Sequence, residues 1–194
     1  MYPSRTEAEE LLKDAEKSNP GKWVSHCKVT ALCAEKIAQY SEMDAEKAYV
    51  LGLLHDIGRK FGVFHLRHVS EGYKNMLSLG YDEVARICLT HSFDGDNIES
   101  YVGNFDAPKE DIDLIREKLK ATEQDDYDKL IQLCDAIAGA DGVMDIIDRT
   151  EDVRSRYGTY DPGMWQTNLE LKAYFEKKMG KNLYDVVKKE EKRD

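Results

Sequence analysis

A chain of 194 residues with 41% hydrophobic and 34% charged side chains is long enough to bury a core without disulfides or a structural metal, and too apolar to be disordered. Its net charge of -10 excludes a general binder of nucleic-acid polymers, whose phosphate contacts demand a basic face. No apolar run approaches the roughly 20 residues that span a bilayer, and the N-terminal segment lacks the apolar stretch of a secretion signal, so a cytoplasmic protein with no membrane partner is expected.

Hydrophobic spacing is helical nearly throughout, with no alternating run long enough to read as a strand, and it predicts an all-α compact bundle in one domain. A first helix is expected over about residues 5 to 17, stopped by Ser18-Asn19-Pro20-Gly21. A second, over about 22 to 40, carries Val29, Cys33 and Ile37 on the stripe that includes His26, so His26 faces inward. Asp44 is placed to cap a third helix of about 45 to 57, where Ala48, Leu51 and Leu54 recur at helical intervals and His55-Asp56 come just before Gly58.

A fourth helix of about 67 to 79 holds His68 near its start and ends at Gly80, and Asp82 is read as the cap of a fifth over about 83 to 92. There Val84, Ile87, Cys88 and His91 share one stripe, which turns His91 inward as well. The Gly-, Asp- and Asn-rich stretch of about 92 to 107 has the character of a binding loop bordering a pocket. Helices of about 109 to 120 and 125 to 139 follow, the second setting Asp135 among Ile131, Cys134 and Ala138. Asp161-Pro162 opens a last helix of about 163 to 179, and Lys188 to Asp194 reads as a solvated tail of mixed charge. The four cysteines, Cys27, Cys33, Cys88 and Cys134, lie at apolar helical positions without C-x-x-C spacing and read as reduced, packed thiols.

The stretch Leu53-Leu54-His55-Asp56-Ile57-Gly58-Arg59 carries the chemistry. Its apolar neighbours press His55 and Asp56 against the core, and a buried carboxylate costs several kcal/mol unless a cation or strong donors offset it. The inward polar residues are then His26, His55, Asp56, His68, His91 and Asp135, spread over five helices. Imidazole nitrogens and carboxylate oxygens suit iron, manganese, nickel, cobalt or zinc, and the lack of cysteine ligands speaks for a catalytic rather than a structural site. His65 competes with His68 for one of these positions, although Phe64-His65 reads as loop.

This set in an all-helical chain resembles the HD domain superfamily of metal-dependent phosphohydrolases. The likeness covers about residues 22 to 140, leaving a helical extension of about 141 to 194. His55-Asp56-Ile57-Gly58 is similar to that family's signature, and His68 and His91 resemble the extra ligands of its two-metal branches, among them cyclic-di-GMP phosphodiesterases and symmetrical diadenosine polyphosphate hydrolases. The resemblance implies one or two divalent ions: His26, His55, Asp56 and Asp135 would hold the first, and Asp56, His68 and His91 the second.

Thr90-His91-Ser92-Phe93-Asp94-Gly95 departs from the paired histidines and Gly-Tyr-Pro element of the cyclic-di-GMP enzymes. Arg59 stands where those have lysine and is expected to contact a phosphate as a planar bidentate donor. Asp56 and Arg59 are therefore the expected catalytic pair, acting on a small phosphorylated metabolite or nucleotide through a metal-activated water. Two other readings fit the same residues: a di-iron oxygenase of the same superfamily, and a nucleotide-binding module without activity.

Overall fold

The computed structural model describes residues 1–188, so the tail expectation falls outside the described residues except at Lys188. Among the described residues the chain is all-α apart from a minimal antiparallel hairpin, β1 (Ala138–Gly139) with β2 (Gly142–Val143). The helices are α1 (Arg5–Ser18), α2 (Lys22–Gln39), α3 (Ala45–Leu54), α4 (Arg67–Ser78), α5 (Asp82–Thr90), α6 (Lys109–Ala121), α7 (Asp126–Ile137), α8 (Ile146–Tyr157), α9 (Pro162–Met179) and α10 (Leu183–Val187), with 3-10 turns at Ile57–Phe61 and Ile98–Ser100. No described helix is long and apolar enough to cross a membrane.

Local chemistry accounts for most of the helix starts. Ser4 and Glu7 form a reciprocal capping box on α1, Asp44 accepts from Lys47 N at the head of α3, and Asp161 accepts from Met164 N with Pro162 in the first turn of α9. Three details differ from the sequence expectation. α3 ends at Leu54 rather than about 57, because the chain tightens into the 3-10 turn that carries Ile57 and Gly58. Asp82 is the first residue of α5 rather than its cap, and its carboxylate lies 2.6 Å from the Met1 ammonium. The hairpin was not foreseen, and within the helical extension expected over about 141 to 194 neither α8 nor α10 had been given bounds.

The main core is one cluster that draws on α1, α2, α3, α5 and α7, and it also takes in Ile146, Phe175, Leu183 and Val187 from the C-terminal helices. A smaller cluster around Leu66, Leu89, Phe93 and Ile115 lies beneath the loop after α5. All four cysteines are free and buried.

Two glycines set the spacing of the layers. A methyl group on Gly52 would stand 2.9 Å from Ala31 Cα, so the backbones of α3 and α2 touch there. One on Gly58 would stand 2.0 Å from the His68 carbonyl oxygen and 2.5 Å from Gly72 N, so the 3-10 turn lies directly on α4. These approaches bring the ends of separate helices to one point. Gly58→Ala forces backbone apart rather than a movable side chain, and is expected to cost at least about 2 kcal/mol; a urea midpoint equal to that of the parent protein would contradict the close packing.

Candidate metal centre

Six side chains from five helices meet at this point. His26 comes from α2, His55 caps the C-terminus of α3, Asp56 begins the 3-10 turn, His68 lies in the first turn of α4, His91 caps the C-terminus of α5, and Asp135 is in the last turn of α7. His55, His68 and His91 are each no more than 2% exposed, and Asp56 is 4% exposed.

Each imidazole is tethered at Nδ1 to a backbone carbonyl. His26 bonds to Ala138 O at 3.0 Å, His55 to Gly52 O at 2.8 Å, His91 to Ile87 O at 3.0 Å, and His68 to His65 O. A carbonyl can only accept, so the proton of a neutral ring sits on Nδ1 and the Nε2 lone pair points into the centre. There His26 Nε2 is 3.2 Å from His55 Nε2, and His68 Nε2 is 3.4 Å from His91 Nε2. Lone pairs aimed at each other across such distances repel unless a proton or cation lies between them.

The carboxylates complete two triads. Asp135 Oδ1 is 2.9 Å from His26 Nε2 and 3.8 Å from His55 Nε2. Asp56 Oδ1 is 3.0 Å from His68 Nε2 and 3.5 Å from His91 Nε2. Despite those approaches, Asp56 Oδ1 is buried without a properly directed hydrogen-bond partner. The ligand atoms of His26, His55 and Asp135, and likewise of Asp56, His68 and His91, lie within 4.8 Å of one another. An orphaned carboxylate oxygen beside converging imidazole lone pairs is the donor set a divalent ion requires, with the Nδ1 tethers as outer support.

The electrostatics agree with that use. Burial pushes the His55 imidazole down to about 4, so the ring is neutral at neutral pH. Burial also favours the neutral Asp56 carboxyl, but the Arg59 guanidinium and the His68 and His55 rings overcome it and hold Asp56 well below the usual carboxylate range. Asp135 is likewise held well below the usual carboxylate range against its burial, by the close approach of His26 Nε2 and by the His55 and His91 rings around it. His91 moves the other way from His55, since the Asp56 carboxylate outweighs burial and raises it.

The structure brings together all six residues singled out as ligands in the sequence. His65 stays outside, its carbonyl serving His68 and its ring stacked edge-on against Tyr157 at 5.6 Å. Arg59, expected as a free phosphate contact, donates from Nε to Asp56 Oδ2 at 2.5 Å and from Nη1 to Phe64 O at 3.2 Å while lining the cavity. Cys27 was overlooked: its sulfur lies within the same 4.8 Å reach of His55 and Asp56. Only its place beside His26 hinted at this, and successive helical residues point about 100° apart.

Above the cluster opens a cavity of about 730 Å³ lined by Trp23, Tyr101, Arg149, Arg156 and Tyr157 among others. The loop after α5 supplies Ser92, Tyr101 and Val102 to it, and α8 and α9 contribute further lining residues.

The model of the HD domain matches residues 23–140, more than half of the chain. The chain belongs to the HD domain family. Comparison with curated proteins and with solved structures gave no match. The HD domain family consists largely of metal-dependent phosphohydrolases, and the His/Asp cluster is compatible with divalent metal binding. The matched segment runs from the start of α2 to just past β1, so it contains all six clustered residues, whereas α8 and α9 lie beyond it.

Two outcomes follow for the cluster. His55→Ala or Asp56→Ala should abolish loading of a transition metal, measured by elemental analysis after dialysis, while the helical circular dichroism stays that of the parent; a variant still loading one ion per site would refute the assignment. In metal-free protein, the depressed His55 value means that the folded chain resists a proton the unfolded chain accepts. The stability this contributes is complete above 6.5 and is lost as pH falls towards about 4. The urea midpoint should fall across that window, and by less in His55→Gln; equal slopes in the two proteins would count against the buried neutral ring.

Proposed function

We propose that this HD domain protein is a metal-dependent phosphohydrolase that cleaves a phosphoester or phosphoanhydride in a small phosphorylated metabolite, a nucleotide being the first candidate. The single observation that carries the reading is the convergence of four Nε2 lone pairs and two carboxylates, with Asp56 Oδ1 unpartnered, on the floor of an open cavity. His26, His55, Asp56 and Asp135 would hold one ion and Asp56, His68 and His91 a second; Asp56 Oδ1 faces His68 and His91, and its Oδ2, held by Arg59, lies 3.9 Å from His55 Nε2. Divalent ions held there lower the pKa of a coordinated water and neutralise charge developing on phosphoryl oxygens.

The chain's own groups then position and screen. Arg59 keeps one Asp56 oxygen fixed and lines the cavity, where its planar guanidinium can also meet a phosphoryl oxygen. Tyr101, with its ring 6.4 Å from that of His68, stays a neutral phenol because burial pushes its pKa up. The buried thiols are poor nucleophiles: burial raises Cys33 to about 12 and Cys27 well above the usual thiol value. Water is thus the attacking group. A cavity of about 730 Å³ falls within the roughly 300–1,000 Å³ typical of small-molecule sites, and Trp23 and Tyr157 are among the aromatic residues that line it.

Full-length protein loaded with manganese, iron, cobalt or nickel should release phosphate from members of a nucleotide and phosphoester panel. Asp56→Ala should lower the rate on the order of a thousandfold. No release with any of the four metals, or oxygen uptake coupled to two bound irons in its place, would overturn the proposal.

A further inference from the structure

Part of the cavity lining comes from α8, which lies beyond the segment matched to the HD domain. Two guanidinium groups of this helix converge on a single carboxylate oxygen: Arg149 Nη1 lies 2.8 Å and Arg156 Nη2 2.9 Å from Asp152 Oδ2. Spacings of three and four residues are those of ordinary helical ion pairs, and on a solvent face such pairs contribute little. All three residues also line the cavity, with Asp152 and Arg156 half exposed and Arg149 largely buried.

Arg149 is also anchored from its other edge. Its side chain is only 16% exposed, and its Nε donates at 2.9 Å to Ala138 O. That carbonyl also receives His26 Nδ1 at 3.0 Å. The guanidinium therefore stands one carbonyl and one imidazole away from the inward-pointing Nε2 atoms, in a fixed orientation whose ordering cost is met in the folded state. Paired guanidinium forks around one oxygen are the arrangement that recognises carboxylate and phosphate.

The charge balance points the same way. Lys22, Arg59, Arg149 and Arg156 match the four carboxylates that line the cavity. A divalent ion among the histidines would leave the cavity positive, although the chain as a whole carries -10.

We propose that Arg149 and Arg156 form a second anion-binding subsite, for a phosphoryl or carboxylate group of the substrate other than the one being hydrolysed, and that Asp152 is an internal stand-in which the anion displaces. The role given to the anion rests on the phosphohydrolase reading, while binding of an anion by the two arginines does not. The substrate class narrows to compact metabolites bearing two anionic groups, with the reacting phosphoryl at the histidine cluster and the second group at α8.

Metal-free full-length protein, stripped with a chelator, separates the two readings when titrated calorimetrically with inorganic pyrophosphate at low ionic strength. Saturable binding is expected, weakened at least about tenfold by Arg156→Gln or Arg149→Gln and unchanged by Arg154→Gln, a 61% exposed neighbour on the same helix. Asp152→Asn should bind several-fold more tightly, because it removes the internal competitor; an ion pair with only a structural role gives no such gain. Since Arg156 is half exposed, its variant should fold even if the Arg149 variant does not. Absence of binding in both the parent and Asp152→Asn, or equal affinity in Arg156→Gln, would overturn the subsite. Failure of the hydrolysis panel with this binding intact would overturn the proposed activity and leave the subsite standing.

Discussion

The structure turns on the buried carboxylate of Asp56. Taking an ionised carboxyl out of water costs several kcal/mol unless its oxygens are met by charge or donors. Arg59 answers for one oxygen at 2.5 Å, and the other is left facing His68 and His91 without a directed partner. A structure optimised for stability alone would have no reason to hold that second oxygen in the core beside rings whose donor protons point elsewhere. The arrangement makes physical sense as a cation site, with the cost of the unpaired oxygen carried by the apolar packing of α3 and its neighbours.

The four imidazoles are oriented in two different ways. His55, His68 and His91 are each tethered to a carbonyl three or four residues earlier in the chain, so helix geometry at those helix ends fixes the rings almost by itself. His26 is the exception: its carbonyl partner, Ala138, is 112 residues away in the chain, at the point where α7 unwinds into the hairpin. Arg149 docks on the same carbonyl. The C-terminal helices thus meet the cluster through the one imidazole whose orientation is not set locally, while Phe175, Leu183 and Val187 bind them into the common core.

Much of this was legible in the residues. The inward stripes of α2 and α5 placed His26 and His91 correctly because helical periodicity is a local property, and both prove buried. The caps at Asp44 and Asp161 were legible for the same reason, each being a contact within three residues. Asp82 was misread because a residue suited to capping can equally occupy the first turn, and here a distant ammonium claims its carboxylate. α8 was missed because its apolar face is sparse: Ile146 is its sole buried residue, and Ile147 is 57% exposed.

The sequence by itself determined most of the helices, the inward direction of His26, His55, Asp56, His91 and Asp135 and the apolar setting that makes a charge at Asp56 costly, since all of these follow from short-range periodicity and composition. Tertiary structure alone decided which of those side chains share a triad, that His68 enters while His65 stays outside, that Arg59 is spent on Asp56, and that α8 lines the cavity. Those outcomes depend on backbone approaches such as Gly58 against His68 and Gly52 against Ala31, which join helices far apart in the chain and leave no trace in the spacing of residues along any one of them.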